Sequence, residues 1–370
     1  MVNLNQRKNE IGGFFGFPFF DCTEISKSVL HYLINSSGGN NYTFVEDGRQ
    51  AIKKVLLEIK DVQKLKCYLP SYLCHSILQP FIEIGLNINF YGHMHPLRAD
   101  IDDDISDSII LIIDYFGTEF FERKKIKELL ENGNKVIIDV THSIFDKTRR
   151  ILSHDNLFYI SSLRKVLPIP DGAIIFHSKE FNCPSMNYSL NITPMLNAML
   201  LKNMYLSDII ELLQMNPLDM KNFYLSLSKN SEENKDKQVI HINSISPISL
   251  MILSNISFDT ILEQRKANLF TLYEKIINKE LFLFCYESIK SPFIFPIYLN
   301  NNRIRKELRH KLIINNIFPP IHWEVQKIVP EKFVYEQQLS SRILSIPIDQ
   351  RYSTIDMQRI INILNQDIPT

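Results

Sequence analysis

The hydrophobic positions in the first half of the chain alternate between short continuous runs and helical spacing. The runs are rich in β-branched residues, which is typical of strands that are buried on both faces of a mostly parallel sheet. The strand candidates are residues 67–69, 88–91, 109–113, 136–138, 158–160 and 173–176, and the helix candidates are residues 49–60, 73–84 and 123–131. This alternation predicts an α/β domain around a central parallel sheet.

The pattern changes after about residue 180. Helical spacing covers residues 190–228 and 245–279, and the charged stretch between them, residues 228–238, is typical of an exposed loop. The C-terminal part mixes predicted strands with predicted helices, at residues 293–299, 303–315, 343–346 and 354–365. We therefore predict a large α/β domain over residues 1–244 and a smaller α+β domain over residues 245–370.

The charge and cysteine content exclude several classes of partner. With 41 basic and 41 acidic side chains, the chain has no global field that would attract nucleic acid or an anionic membrane. No apolar run reaches the ~18 residues that a membrane helix needs, and the apolar residues 11–20 lack a signal-peptide cleavage site. Scattered cysteines without a C-x-x-C pair favour a reducing, cytoplasmic location over disulfides or structural zinc. They are Cys22, Cys67, Cys74, Cys183 and Cys285.

Polar side chains follow successive predicted strands. Asp139 and His142 come directly after one strand, and Ser161, Ser162 and Lys165 come after the next. Ligands of open α/β sheets bind beyond the carboxyl ends of the strands, so we expect these residues to meet at one edge. His93 and His95 lie close together in the sequence, but no third ligand at metal-binding spacing accompanies them. We therefore expect no metal site.

A possible anion site precedes the first predicted helix. Asp47 is placed to cap this helix, and the free amides of Gly48, Arg49 and Gln50 would then face an anion with the helix dipole behind them. An ordinary capped amphipathic helix would have the same sequence. However, an anion site, a strand-end acid and a lysine together are what pyridoxal 5'-phosphate (PLP) requires.

Residues 158–173 resemble the Schiff-base segment of fold-type-I PLP enzymes. The spacing Ser162-x-x-Lys165 is similar to the serine–lysine pair of that family, and residues 137–142 resemble its strand-end element. The resemblance implies that Lys165 carries the cofactor and that Asp139 contacts the pyridine nitrogen. It places His142 near the phenolic oxygen, and Ser161 and Ser162 near the cofactor.

Among the subfamilies, the chain most resembles the DegT/StrS-type sugar aminotransferases. The resemblance lies in residues 47–52, 69–72, 265–269 and 344–349, in the expected order. It implies an aspartate-aminotransferase-like fold and a homodimer. It also implies transfer of an amino group, from glutamate as the usual donor, to a keto-sugar that is nucleotide-linked.

Departures from the family pattern leave some roles open. The aromatic residue that stacks on the cofactor aligns near Cys74, so we expect Tyr72 or His75 to replace it. The changed surroundings of Lys165 and Arg49 keep two alternatives open. One is a PLP enzyme of another type (a lyase, racemase or amine-forming enzyme) acting on an amino-acid-like substrate. The other is a fold relative without catalysis.

Three further residues are candidates for the substrate pocket. His322 and Trp323, the only tryptophan in the chain, would line the pocket or pack between the domains. Arg351 would clamp an anionic substrate group or pair with a carboxylate at the surface.

Overall fold

The computed structural model describes most of the chain. The described residues are 9–18, 20, 27–37, 41–118, 122–179, 181, 187–188, 192–325 and 328–367. Cys22 and Cys183 lie outside them. The three described cysteines, Cys67, Cys74 and Cys285, are free thiols.

In the described part of the chain, eight strands form the central sheet and four more form two small pairs. The strands are β1 (Ile11–Gly12), β2 (Asn41–Val45), β3 (Lys66–Pro70), β4 (Asn87–Met94), β5 (Arg98–Asp100), β6 (Ile109–Ile113), β7 (Lys135–Asp139), β8 (Leu157–Ser162), β9 (Ala173–His177), β10 (Phe295–Tyr298), β11 (Ile317–Phe318) and β12 (Ile343–Ile346). The sheet order is β2-β9-β8-β7-β6-β3-β4-β5. Its centre, from β8 through β7, β6 and β3 to β4, is parallel, whereas β9 runs antiparallel to both of its neighbours.

The helices cover both faces of this sheet and build the C-terminal part. They are α1 (Val29–Asn35), α2 (Gly48–Glu58), α3 (Leu78–Ile84), α4 (Arg123–Glu131), α5 (Ile192–Leu206), α6 (Ile209–Leu212), α7 (Pro217–Lys237), α8 (Pro247–Ser254), α9 (Phe258–Lys275), α10 (Asn302–Ile314), α11 (Val334–Arg342) and α12 (Thr354–Asp367). Strand β10 pairs antiparallel with β12, and β1 pairs with β11.

Strand β6 shows why the continuous apolar runs predicted the sheet. All five of its residues are buried. Ile109, Leu111 and Ile113 belong to the hydrophobic cluster on one face, and Ile110 and Ile112 belong to the cluster on the other. A strand with apolar neighbours on both faces cannot alternate with polar residues. The predicted strands and helices of the first half are confirmed to within a few residues.

Helix α9 fastens the C-terminal segments to the strand-end edge of the sheet. The buried Arg265 guanidinium donates to the carbonyl oxygens of Pro292, Phe293 and Val166, and to the Gln350 side chain. The Asn268 amide, one helical turn later, donates to three carbonyl oxygens, those of Ile348, Asp349 and Tyr352. These two residues therefore hold the C-terminal segments in place through hydrogen bonds.

Several features of the structure differ from the predictions or were not predicted. Residues 228–237, predicted as a loop, are the last turns of α7. Lys229 and Lys237 pair with Glu233 along this helix, and such pairs stabilise polar helices. Strand β2 was not predicted, because it lies at the sheet edge and exposes its first two residues. Helix α11 was also not predicted. Among the described residues, no helix is both long enough and apolar enough to cross a bilayer.

Candidate active site at the carboxyl edge of the sheet

The register of the strands brings three chain segments together. Asp139, the last residue of β7, pairs with Ile160 of β8. Ser162 of β8 and Val45 of β2 both pair with Ala173 of β9, so β2 and β8 end at the same edge. As a result, the start of α2, the end of β7 and the Lys165 turn after β8 surround one point.

Two cavities meet at this point. The inner cavity, of about 40 Å³, is lined by Gly48, Arg49, Asp139, Ser162, Arg164 and Lys165, among others. The outer cavity, of about 430 Å³, is lined by His142, Phe293, His322, Trp323 and Arg351, among others. Arg164 and Lys165 line both cavities, and therefore stand at their boundary.

The start of α2 presents donors to the inner cavity. The Asp47 side chain accepts a hydrogen bond from the Gln50 amide at 3.1 Å, which caps the helix. The amides of Gly48 and Arg49 remain, and they have no partner within the helix or among the other described residues. A Cβ on Gly48 would lie 3.2 Å from the Ser162 Cβ, so glycine lets the helix start approach β8 closely.

The Gln50 prediction does not agree with this geometry. Its amide is engaged by Asp47, and its side-chain amide donates to Glu46 at 2.9 Å. Its side-chain oxygen accepts from the Asn243 amide at 2.7 Å. Gln50 therefore uses its backbone amide, its side-chain oxygen and one side-chain N–H in holding α2 to its surroundings.

Asp139 is held in place by the turn that follows it. Its carboxylate accepts the Thr141 amide at 2.9 Å, and the Thr141 hydroxyl accepts the Ser162 amide, also at 2.9 Å. Burial raises the pKa of Asp139 above its ordinary value, and the Lys165 charge and the Thr141 amide oppose this rise only in part. A carboxyl group at this position can pair with a basic nitrogen of a bound ligand.

His142 is a neutral imidazole with a defined tautomer. Its Nδ1 accepts the Phe116 amide at 3.1 Å, so Nε2 carries the proton. Burial lowers the pKa of His142 well below its usual range, and the neighbouring His322 and Lys165 charges lower it further. The ring stacks on Phe293, with the centroids 4.0 Å apart, and lies nearly parallel to Trp323.

Lys165 carries an unengaged ammonium group between the two cavities. It lies in a short 3-10 turn directly after β8 and is exposed. Its ammonium has no hydrogen bond or ion pair with any other described residue. The Lys165 charge contributes to the pKa shifts of Asp139, His142 and His322, which places it close to all three.

The substrate-side predictions are placed as follows. His322 and Trp323 line the outer cavity. His322 Nδ1 lies 2.9 Å from the Ser345 hydroxyl, and burial lowers the pKa of His322 to about 3, with the Lys165 charge adding to the effect. Arg351 also lines this cavity, but it forms a bidentate pair with Asp349 and donates to two backbone carbonyls. It is therefore not free to clamp an anion in this conformation.

Three other predicted residues do not line either cavity. Tyr72 is fully buried, packs against Trp323 and donates its hydroxyl to the His322 carbonyl. His75 is exposed and begins a 3-10 turn. Ser161 points to the opposite face of β8, where its hydroxyl is buried without a partner among the described residues.

Sequence reasoning missed Thr141, Ser76 and Arg164 as site residues. Thr141 and Ser76 line the inner cavity, and Arg164 lines both cavities. Thr141 stands between two predicted site residues, and Arg164 directly precedes Lys165. The position of Ser76 depends on how the turn after β3 folds, and it gives no comparable signal.

Comparisons with known proteins bear on the fold. No protein-family model matches the chain, and a search of curated protein sequences gives no match. Among solved structures, PseC of Helicobacter pylori, an aminotransferase of pseudoaminic acid biosynthesis, matches with a TM-score of 0.62 and 12% identity, covering 97% of this chain and 99% of its own. A DegT/DnrJ/EryC1/StrS aminotransferase of Brucella abortus matches with a TM-score of 0.61 and 14% identity, covering 94% and 92%.

A third solved structure, NtdA of Bacillus subtilis with the cofactor PMP bound, matches with a TM-score of 0.60 and 14% identity. It covers 94% of this chain and 78% of its own. At such low identity, these likenesses concern the fold. They confirm the prediction of an aspartate-aminotransferase-like α/β fold, and this chain has the fold of the DegT/StrS sugar aminotransferases.

Proposed function

We propose that the protein is a PLP-dependent aminotransferase in which Lys165 carries the cofactor. The observation that carries this proposal is the inner cavity, where a lysine, a strand-end carboxyl group and a helix start meet. Each has a partner on PLP: the aldehyde, the pyridine nitrogen and the phosphate. The fold shared with sugar aminotransferases supports the same proposal.

The donor set fits a phosphate group. Arg49 and Arg164 both reach the inner cavity, and the Nε atoms of both are buried without a partner among the described residues. The amides of Gly48 and Arg49 add two donors at the positive end of the α2 dipole. Ser162 lies against Gly48 and lines the same cavity. Anionic oxygens would satisfy all of these groups.

PLP, when bound, supplies an electron sink for the carbanion that forms when an amino acid loses its α-proton. Asp139 would keep the pyridine nitrogen protonated through the negative charge of its carboxylate, which Thr141 orients. The Nε2–H of His142 would be a donor for the phenolic oxygen. Lys165, unpaired and at the boundary of the cavities, moves the α-proton as general base and acid.

The outer cavity is the site we propose for the substrates. Phe293, His322 and Trp323 give it an aromatic wall beside Lys165, and pockets of this size and lining bind small molecules. We propose glutamate as the amino donor and a nucleotide-linked keto-sugar as the acceptor, following the resemblance. A cytoplasmic homodimer with domains at residues 1–244 and 245–370 belongs to the same proposal.

The test of the cofactor assignment is the visible spectrum of the purified protein with added PLP, followed by borohydride reduction and peptide mapping. We expect a yellow protein whose label is found on Lys165. Lys165→Ala should lose the band and the label. Its rate in any half-reaction should fall at least about 10²-fold. The exposed Lys124, on α4, provides the control Lys124→Ala. A colourless wild-type protein, or a label on another lysine, would refute the assignment.

A second measurement separates transamination from the other PLP reactions. Addition of an amino acid without an acceptor should convert the bound cofactor to its amine form and release one equivalent of keto acid per site. Exchange of the α-proton with solvent, without keto acid, would instead indicate a racemase or lyase. A protein that binds no PLP would indicate the non-catalytic alternative.

A further inference from the structure

The C-terminal end of α7 contacts two arginines that line the inner cavity. We call residues 231–237 the α7 end. Its Asp236 carboxylate forms an ion pair with the Arg49 guanidinium, and Glu232 Oε2 accepts from Arg164 at 2.7 Å. Lys235, on the same side of the helix, lies 4.0 Å from the Asp47 carboxylate. The α7 end thus places two carboxylates on the two arginines that line the cavity.

Each of the two arginines keeps an unused donor. Arg49 is only 9% exposed, and its Nε has no partner among the described residues. The Nε of Arg164 is buried and unpartnered in the same way. A buried guanidinium N–H without a partner is unfavourable. These donors point to an anion as a further ligand.

The guanidinium groups that would bind that anion are already engaged by the α7 end. Arg49 and Arg164 line the inner cavity, and they pair with Asp236 and Glu232. The strands and α2 around it are packed in the core, whereas Asp236 has a half-exposed side chain and that of Glu232 is 37% exposed. The α7 end is therefore the partner of the two arginines that can be displaced at least cost.

We propose that Glu232 and Asp236 are an internal competitor for the phosphate group of the cofactor. They hold Arg164 and Arg49 when no phosphate is bound, and the phosphate displaces them when it enters. The charges match, because two carboxylates carry −2 and a phosphate monoester carries about −1.5 to −2 at pH 7. This inference rests on the proposed function, and it makes Arg164 a phosphate ligand beside Lys165.

The α7 end then sets how tightly the cofactor is held. Each ion pair must be given up during binding, and partly exposed pairs of this kind contribute modestly. Removal of both carboxylates should therefore raise the affinity for phosphate compounds. A purely structural contact would predict the opposite pattern, with altered stability and unchanged phosphate binding.

The test uses the full-length protein with the double substitution Glu232→Gln and Asp236→Asn. We expect the dissociation constants for PLP and for inorganic phosphate to fall about tenfold. The matched control is Glu233→Gln on the same helix, because Glu233 pairs only with Lys229 and Lys237 among the described residues. Equal affinity in the double variant and the wild type, or an equal change in the control, would overturn the proposal.

A second readout needs no substitution. Hydrogen exchange of the α7 end in the wild-type protein should rise when inorganic phosphate or PLP is added, and should not rise with pyridoxal, which lacks the phosphate. No change in exchange at saturating phosphate would also overturn the proposal. If PLP labels Lys165 while the α7 end is unaffected, this inference fails and the proposed function stands. If no PLP binds, the proposed function fails. The titration with inorganic phosphate then tests on its own whether Glu232 and Asp236 compete with phosphate for the two arginines.

Discussion

Glu336 provides a sharp test of how the C-terminal part is fastened to the sheet. This residue of α11 is 2% exposed, and a single carboxylate oxygen, Oε1, accepts from the Ser71 hydroxyl at 2.8 Å and pairs with His93 Nδ1 at 2.9 Å. His93 Nε2 in turn lies 3.2 Å from the Tyr115 hydroxyl. The partners lie 265 and 243 residues away in the chain, so this cluster joins distant segments.

Removal and neutralisation of this carboxylate should have different costs. Glu336→Ala leaves two buried donors unsatisfied and opens a cavity, so we expect a loss of about 3–5 kcal/mol in the free energy of unfolding. Glu336→Gln keeps an oxygen that can accept both hydrogen bonds and should cost only about 1 kcal/mol. The assay is urea unfolding followed by the fluorescence of Trp323, which lies 5.6 Å from the neighbouring Tyr72 ring.

The same cluster predicts a direction with pH. Burial alone would raise the pKa of Glu336, but hydrogen bonds from His93 and Ser71 hold it below its ordinary value. Burial lowers the pKa of His93 despite the opposite pull of Glu336. Because the unfolded chain binds protons that the folded chain does not, stability should fall as pH drops through ~6.5 and then through ~4.3. In Glu336→Gln the lower of these two steps should shrink.

The exposed Glu307, which pairs with Arg303 on the surface of α10, provides the control Glu307→Ala. We expect its unfolding midpoint to match that of the wild type. A Glu336→Ala variant within about 1 kcal/mol of the wild type would refute the reasoning. So would equal costs for the alanine and glutamine variants, because only the alanine variant loses both hydrogen bonds and opens a cavity.

Three further substitutions probe the backbone and a helix start. Gly117 has φ +74°, and a Cβ there would lie 1.7 Å from the Ser291 carbonyl oxygen, so Gly117→Ala should lower the free energy of unfolding by more than about 3 kcal/mol. Gly85 has φ +80° with open space around it, so Gly85→Ala should lower the same free energy by only about 1 kcal/mol in the same urea titration. The buried Asp171 accepts hydrogen bonds from the amide and the hydroxyl of Ser246 at the start of α8. Asp171→Ala should therefore lower the free energy of unfolding by about 2–4 kcal/mol. An unchanged unfolding midpoint would contradict this role.

The sequence predicts the parts of the site that local patterns encode. Asp139 and Lys165 each follow a buried apolar run, and the end of such a run marks the carboxyl edge of a parallel sheet. Asp47 and Gly48 carry the signal of a helix start. These patterns need only a few neighbouring residues, so one sequence is sufficient to read them.

Contacts between distant residues explain most of the errors. The polar α7 end is helical in part because Arg49 and Arg164, far away in the chain, pair with its carboxylates. Gln50 is engaged by Asn243, which no local pattern indicates. Tyr72 or His75 is expected to stack on the cofactor from its place in the chain alone, and the structure packs the Tyr72 ring against Trp323 and leaves His75 exposed.

The pairing of β1 with β11 has a consequence for synthesis of the protein on the ribosome. Ile11 and Gly12 are made early, yet their partners are Ile317 and Phe318, and the Gly12 amide donates to the Tyr352 hydroxyl at 2.6 Å. A chain made at about 5–20 residues per second therefore waits roughly 15 to 60 s between the first strand and its partner. Phe14 and Phe15 follow β1 and line the outer cavity, so they are among the last lining residues of this cavity to reach their final positions. A nascent chain can therefore complete the central sheet long before the outer cavity is complete.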